Sequence, residues 1–137
     1  MASKIRAKEQ RLPQGDLIKV MNVRQGIKQT DFKKIAIRSP FTTHEWSYFL
    51  NLSERTMQRY EKQKRTFAPS QSEKILEIEE LNDKGLEVFE DKNNFKLWLE
   101  SKNIALGSMK PKDLLDTSIG IGMVKDELIR IEYGVLA

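Results

Sequence analysis

Arg55 and Arg59 stand four residues apart, so on a helix they share one face. A guanidinium on such a face can reach guanine edges or phosphates. Gln58 between them could pair with adenine. Ser53 and Thr56, just upstream, carry hydroxyls that suit phosphate oxygens, helped by the positive end of the helix dipole. Lys62, Lys64 and Arg65 continue the basic edge. Together these groups could read nucleic acid. A solvated helical hairpin without a ligand is the plain alternative.

The elements that must position them are legible around this segment. Apolar residues fall at Trp46, Leu50, Leu52, Met57 and Tyr60, which predicts two short helices joined by a sharp turn. Asn51 falls at the turn, where a left-handed residue is needed and asparagine is tolerated. Ser53 is a good N-cap for the second helix, and Thr42 or Thr43 for the first. That is the layout of a helix-turn-helix, which lays its second helix in the DNA major groove.

Upstream, residues 1–14 read as a loose basic arm. Asp16 to Val23 predicts a short helix ended by Gly26. Thr30 or Asp31 can cap another, carrying Phe32, Ile35, Ala36 and Ile37 and stopping near Ser39, before Pro40. Downstream, Thr66 to Pro69 forms a break. A long helix capped by Ser70 or Ser72 then runs to Phe89, with Gly85 as an interior weak point. A helix starting within Asp91 to Asn94 carries Phe95, Leu97, Trp98 and Leu99, and a loop spans 101–110. Pro111 opens a short helix, in the position proline prefers. Thr117 or Ser118 caps the last helix, which ends at Tyr133-Gly134 and leaves Val135-Leu136-Ala137 as an apolar tail. No strand or internal repeat is evident. The expectation is an all-α chain of two parts meeting near residues 66–72.

Composition narrows the chemistry. Over 137 residues the chain is 39% apolar and 32% charged, enough to bury a core and stay soluble. It has no cysteine, which excludes disulfides and thiolate metal sites. His44 is the only histidine and reads as a surface or capping residue. No apolar run approaches the roughly 20 residues needed to span a bilayer. No signal peptide is apparent at the N-terminus, so the cytoplasm is the default. The aromatic residues Trp46, Phe49, Tyr60, Phe89, Phe95 and Trp98 read as core. Glu77, Glu79 and Glu80 read as a solvated acidic face, and Gly120 and Gly122 as close helix packing. No constellation suggests an active site, a metal or a cofactor.

Charge divides the chain. Residues 1–69 carry 15 Lys and Arg against 6 Asp and Glu, a net +9. Residues 70–137 carry 9 against 14, a net −5. The basic half suits phosphate and the acidic half does not, which implies different partners.

From about residue 45 onward the chain resembles the Xre/MbcA/ParS type antitoxins of bacterial type II toxin–antitoxin systems. Leu52 to Arg59 carries the turn and second helix, and Phe67 to Leu76 the next segment. Val88-Phe89, Phe95 to Leu99, Asn103 to Gly107 and Lys110 to Gly120 follow in order, and Val124 to Val135 closes the set. The first segment occurs in many DNA-binding proteins, whereas the ordered set is far more specific.

The resemblance implies an Xre-like helix-turn-helix domain over residues 15–68 and a small helical toxin-binding and dimerisation domain over 69–137. It implies a homodimer that binds operator DNA and silences a RES-type toxin. Such toxins consume NAD by hydrolysis or phosphorolysis, or transfer ADP-ribose. Carried over by position, the inhibitory face comprises Asp126, Arg130, Glu132 and Tyr133, followed by Gly134, Val135, Leu136 and Ala137. An apolar tail on an acidic domain suits a cationic cleft that binds NAD phosphates. The rivals are a stand-alone transcriptional regulator whose C-terminal half only dimerises, and a structural interaction protein without DNA binding.

Overall fold

The computed structural model describes residues 15–134. The expected basic arm and the tail of Val135, Leu136 and Ala137 lie outside the described residues. In chain order the α-helices are α1 (residues 15–25), α2 (Gln29–Arg38), α3 (Thr43–Leu50), α4 (Glu54–Lys62), α5 (Pro69–Phe89), α6 (Lys92–Leu99) and α7 (Ser118–Glu132). Two 3-10 turns, Ile104–Leu106 and Pro111–Leu114, separate α6 from α7. Strand-like pairing among the described residues is limited to one isolated bridge between Asn103 and Met109. The all-α expectation holds.

Most helix starts follow local chemistry. Thr42 and Glu45 form a reciprocal capping box at α3, each side chain bonding the other residue's backbone N–H (3.1 and 3.0 Å). Ser53 caps α4, Asp91 caps α6 and Thr117 caps α7. Two expected caps fall elsewhere. α2 starts at Gln29 after Lys28, with Asp31 inside the first turn, where the dipole favours its charge. α5 starts at Pro69 after Ala68, and the Gln71 side chain accepts from the Ala68 N–H (3.1 Å). Ser72 is instead buried. Its hydroxyl accepts from the Ile27 N–H (2.9 Å) and donates to the Phe67 carbonyl (3.3 Å), pinning the α1–α2 link to the start of α5.

α5 is the common axis. Ile75, Ile78 and Leu81 are fully buried on it, and α3, α6 and α7 all pack against it. On the first side, Trp46 meets Phe32, Phe41 and Phe49 edge to face, and its indole N–H donates to Ser39 (3.2 Å). On the other, Phe95, Leu99, Leu115, Val124 and Leu128 close the core. Trp46, Phe49 and Phe95 are buried, while Tyr60, Phe89 and Trp98 pack at its margin, as expected of core aromatics.

The acidic run on α5 is not a freely solvated face. Glu77 accepts from Ser118, Glu79 pairs with Arg38, and Glu80 pairs with both Lys19 and Lys125. All three are half-buried. Burial raises the Glu77 and Glu79 carboxyls above their ordinary value. At Glu80 burial pushes the same way, but the two lysines outweigh it and hold the carboxyl low. The run stitches α1, α2 and α7 to α5.

Gly85 is a packing requirement rather than a weak point. A Cβ there would lie 2.2 Å from the Phe95 ring, which is fully buried and stacks on Phe89 and Trp98. Gly85→Ala should gain about 1 kcal/mol of helix propensity. Overpacking costs about 1–3 kcal/mol, and this ring is fully buried. The clash should win, so the variant should unfold at lower urea concentration than the wild type; a higher midpoint would contradict this packing.

Candidate functional site

The turn between α3 and α4 sets the geometry of the basic face. Asn51 adopts the left-handed conformation (φ 56°, ψ 40°) and its N–H bonds back to the Tyr48 carbonyl. α4 then buries Met57, with Leu52 and Tyr60 packed beside it. That orientation leaves Arg55, Gln58, Arg59 and Lys62 exposed. With Thr56 and Gln63 they line one open depression. Among the described residues, no carboxylate pairs with Arg55, Arg59 or Lys62, whereas Lys33 on α2 is paired with Glu61. Three unneutralised cations and an amide on one helical face can bind a polyanion.

Two neighbours are committed elsewhere. The Ser53 hydroxyl accepts from the Thr56 N–H (3.0 Å) and donates to the Thr56 hydroxyl (2.9 Å), so it holds the helix start. Arg65 lies over the Tyr60 ring, 5.1 Å from its centroid. His44 is exposed and faces Glu54 across the turn (3.3 Å). Gln63, which pattern reasoning did not single out, joins the face only because α4 ends beside it.

α3 is clamped to the C-terminal half. The Lys74 ammonium donates to the Phe49 carbonyl (3.2 Å) and the Asp116 carbonyl (2.5 Å). Tyr48 donates to the Asp113 carbonyl (3.0 Å), and Lys112 pairs with Glu45 (3.2 Å). Burial pushes the Glu45 carboxyl up, but its bonds to Thr42 and Lys112 outweigh that and hold it below the ordinary range.

At the far end of the chain, α7 carries Asp126, Arg130 and Tyr133 on its exposed side. The spacing of four and three residues places them on one stripe. Arg130 is braced by Glu127 (3.3 Å). Glu132 lies off the stripe by helical spacing and pairs with Lys84 of α5 (3.1 Å). Gly134, at φ 65°, ends the described chain. Among the described residues no cluster of His, Cys, Asp and Glu could hold a metal. No described helix is long and apolar enough to cross a membrane.

A helix-turn-helix with an exposed cationic second helix, followed by a helical unit on the same α5 axis, defines a helix-turn-helix protein with an appended helical domain. Residues 19–79 match the antitoxin Xre-like helix-turn-helix domain, and residues 84–134 match the antitoxin Xre/MbcA/ParS C-terminal toxin-binding domain. The chain therefore belongs to the Xre/MbcA/ParS-type antitoxins. No curated protein matches it.

The clamp on α3 has a measurable consequence. Lys74→Met should leave the Phe49 and Asp116 carbonyls without their donor, at about 1–3 kcal/mol. Urea unfolding should show the loss, and hydrogen exchange should quicken around residues 111–117. Unchanged exchange there would mean Lys74 does not join the halves.

Proposed function

We propose that this protein binds and neutralises a RES-type, NAD-consuming toxin by blocking its active-site entrance, and represses its own operon as a homodimer. The observation that carries the reading is the order of the two matched domains along one chain, an Xre-like helix-turn-helix then a toxin-binding unit. In this reading the chain has no catalytic role, needs no cofactor and acts in the cytoplasm.

The division of labour follows from charge. Arg55, Gln58, Arg59 and Lys62 contact operator DNA, with Thr56 beside them and Ser53 fixing the helix start. Asp126, Arg130 and Tyr133 contact the toxin. Glu132 anchors the end of α7, so that Gly134, Val135, Leu136 and Ala137 continue into the cleft. The acidic charge of the second half suits a cleft built for NAD phosphates. Two half-sites require two copies. Leu17, Ile18 and Met21, exposed together on α1, support pairing with a second copy.

Co-expression with the adjacent reading frame tests the main claim. The two proteins should copurify, and cellular NAD should recover; a toxin-free neighbourhood would leave a stand-alone regulator as the better reading. Truncation after Gly134 should weaken neutralisation, and full protection by the shortened chain would exclude the tail as the blocking element. For DNA, Arg55→Ala and Arg59→Ala should each weaken promoter binding and lower the slope of log affinity against log salt by about one. Promoter affinity unchanged in both variants would remove α4 from the interface.

A further inference from the structure

Two glycines in α7 answer to different constraints. At Gly120 a Cβ would lie 1.8 Å from the Leu114 carbonyl oxygen, so the packing of α7 on the preceding turn requires glycine. At Gly122 a Cβ would meet nothing within 4 Å, and the residue has no positive φ. The expectation of close packing thus holds at the first glycine and fails at the second. Glycine inside a helix is destabilising relative to alanine, and no contact within the described molecule offsets that loss at Gly122.

The surroundings of Gly122 are those of a contact surface. Ile119 is three residues before it and 81% exposed, Met123 follows it half exposed, and Asp126 lies one turn on. Residues three and four apart are neighbours on a helix. Ile119, Gly122, Met123, Asp126, Arg130 and Tyr133 therefore form one stripe running the length of α7. Tyr133, at its end, is 74% exposed. Among the described residues Asp126 has no cationic partner.

We infer that the toxin packs along this entire stripe, with its main chain seated against Gly122. This inference rests on the proposed function and extends it from the end of α7 to its first turns. The whole stripe lies within the matched toxin-binding segment, 84–134. It is also continuous with Asp126, Arg130 and Tyr133, which the proposed function already gives to the toxin. A bare glycine between an isoleucine and an aspartate admits a partner backbone where any side chain would hold it off. The surface that fits is shallow and apolar, with a lysine or arginine opposite Asp126. Exposed apolar residues on α1 remain for a second copy of the chain.

The test uses the full chain and the purified toxin encoded beside it, with affinity read by calorimetry and self-association by light scattering. Gly122→Ala should raise the melting temperature of the free protein by about 2–5 °C, because alanine favours the helix and meets nothing. The same change should weaken toxin binding about tenfold. Gly122→Arg should weaken it at least about a hundredfold while the free protein stays folded. Ile119→Lys, which leaves the backbone untouched, should cost about tenfold or more. Wild-type affinity in Gly122→Arg and Ile119→Lys overturns the inference while leaving the proposed function standing, and so does a dimer broken by either variant with toxin affinity intact. A wild-type chain that does not bind this toxin overturns both.

Discussion

Burial of one face of α5 by helices from both halves of the chain is the constraint on which the other placements depend. A 21-residue helix exposing one polar stripe would normally belong to one domain. Here Ile75, Ile78 and Leu81 are fully buried, and helices from both halves cover them. The helix-turn-helix match ends at residue 79 and the toxin-binding match begins at 84, so both fall within the span of this one helix. Neither half can shift far without exposing apolar surface of α5, at roughly 25 cal/mol per Å². The polar ties reinforce this. Lys74 reaches α3 on one side and the Asp116 carbonyl on the other, while Glu80 holds lysines from α1 and α7.

Signals confined to a few residues were legible in the sequence. Thr42, Ser53, Thr117 and Asn51 act through hydrogen bonds or dihedral angles within one turn, and their residue types state what they do. The basic face of α4 was legible for the same reason, since exposure there follows from the apolar stripe on its other side. Signals that depend on distant partners were hidden. Ser72 looks like a cap, but its partner is Ile27, 45 residues away. Gly85 looks like a flaw in a helix until Phe95 is placed over it. The glutamates of α5 look solvated because lysines of α1 and α7, and Arg38 of α2, approach them only in three dimensions. Of the proposed inhibitory face, the stripe of Asp126, Arg130 and Tyr133 follows from helical spacing, whereas the pairing of Glu132 with Lys84 does not.

Charge pairing separates cations engaged across elements from cations left unpaired among the described residues. Lys19, Arg38, Lys84, Lys112 and Lys125 are each engaged with a carboxylate of another element. Among the described residues Arg55, Arg59 and Lys62 are not, although Glu54 and Glu61 lie on the same helix. Exposed ion pairs contribute little to stability, usually below about 1 kcal/mol. Their more consequential effect is to remove charge from the surface that a polyanion would otherwise meet. Pairing Lys33 with Glu61, and leaving Arg55, Arg59 and Lys62 free, concentrates the positive field on one side of α4.

The same reasoning distinguishes the two ends of α7. Its first turn is fixed by Gly120 against Leu114, by the Thr117 cap and by Ser118 on Glu77. Its last turn is fixed by Glu132 on Lys84. A helix anchored at both ends has little freedom to reorient when a partner arrives. Binding to its outer stripe then requires ordering of side chains rather than of backbone, which lowers the entropic cost of association. Because the α5 face that carries α7 continues into the Lys74 clamp on α3, a toxin seated on α7 would be held at a fixed position relative to α4. The geometry of the pair, rather than a conformational change within the chain, would then decide whether toxin and DNA can be bound together.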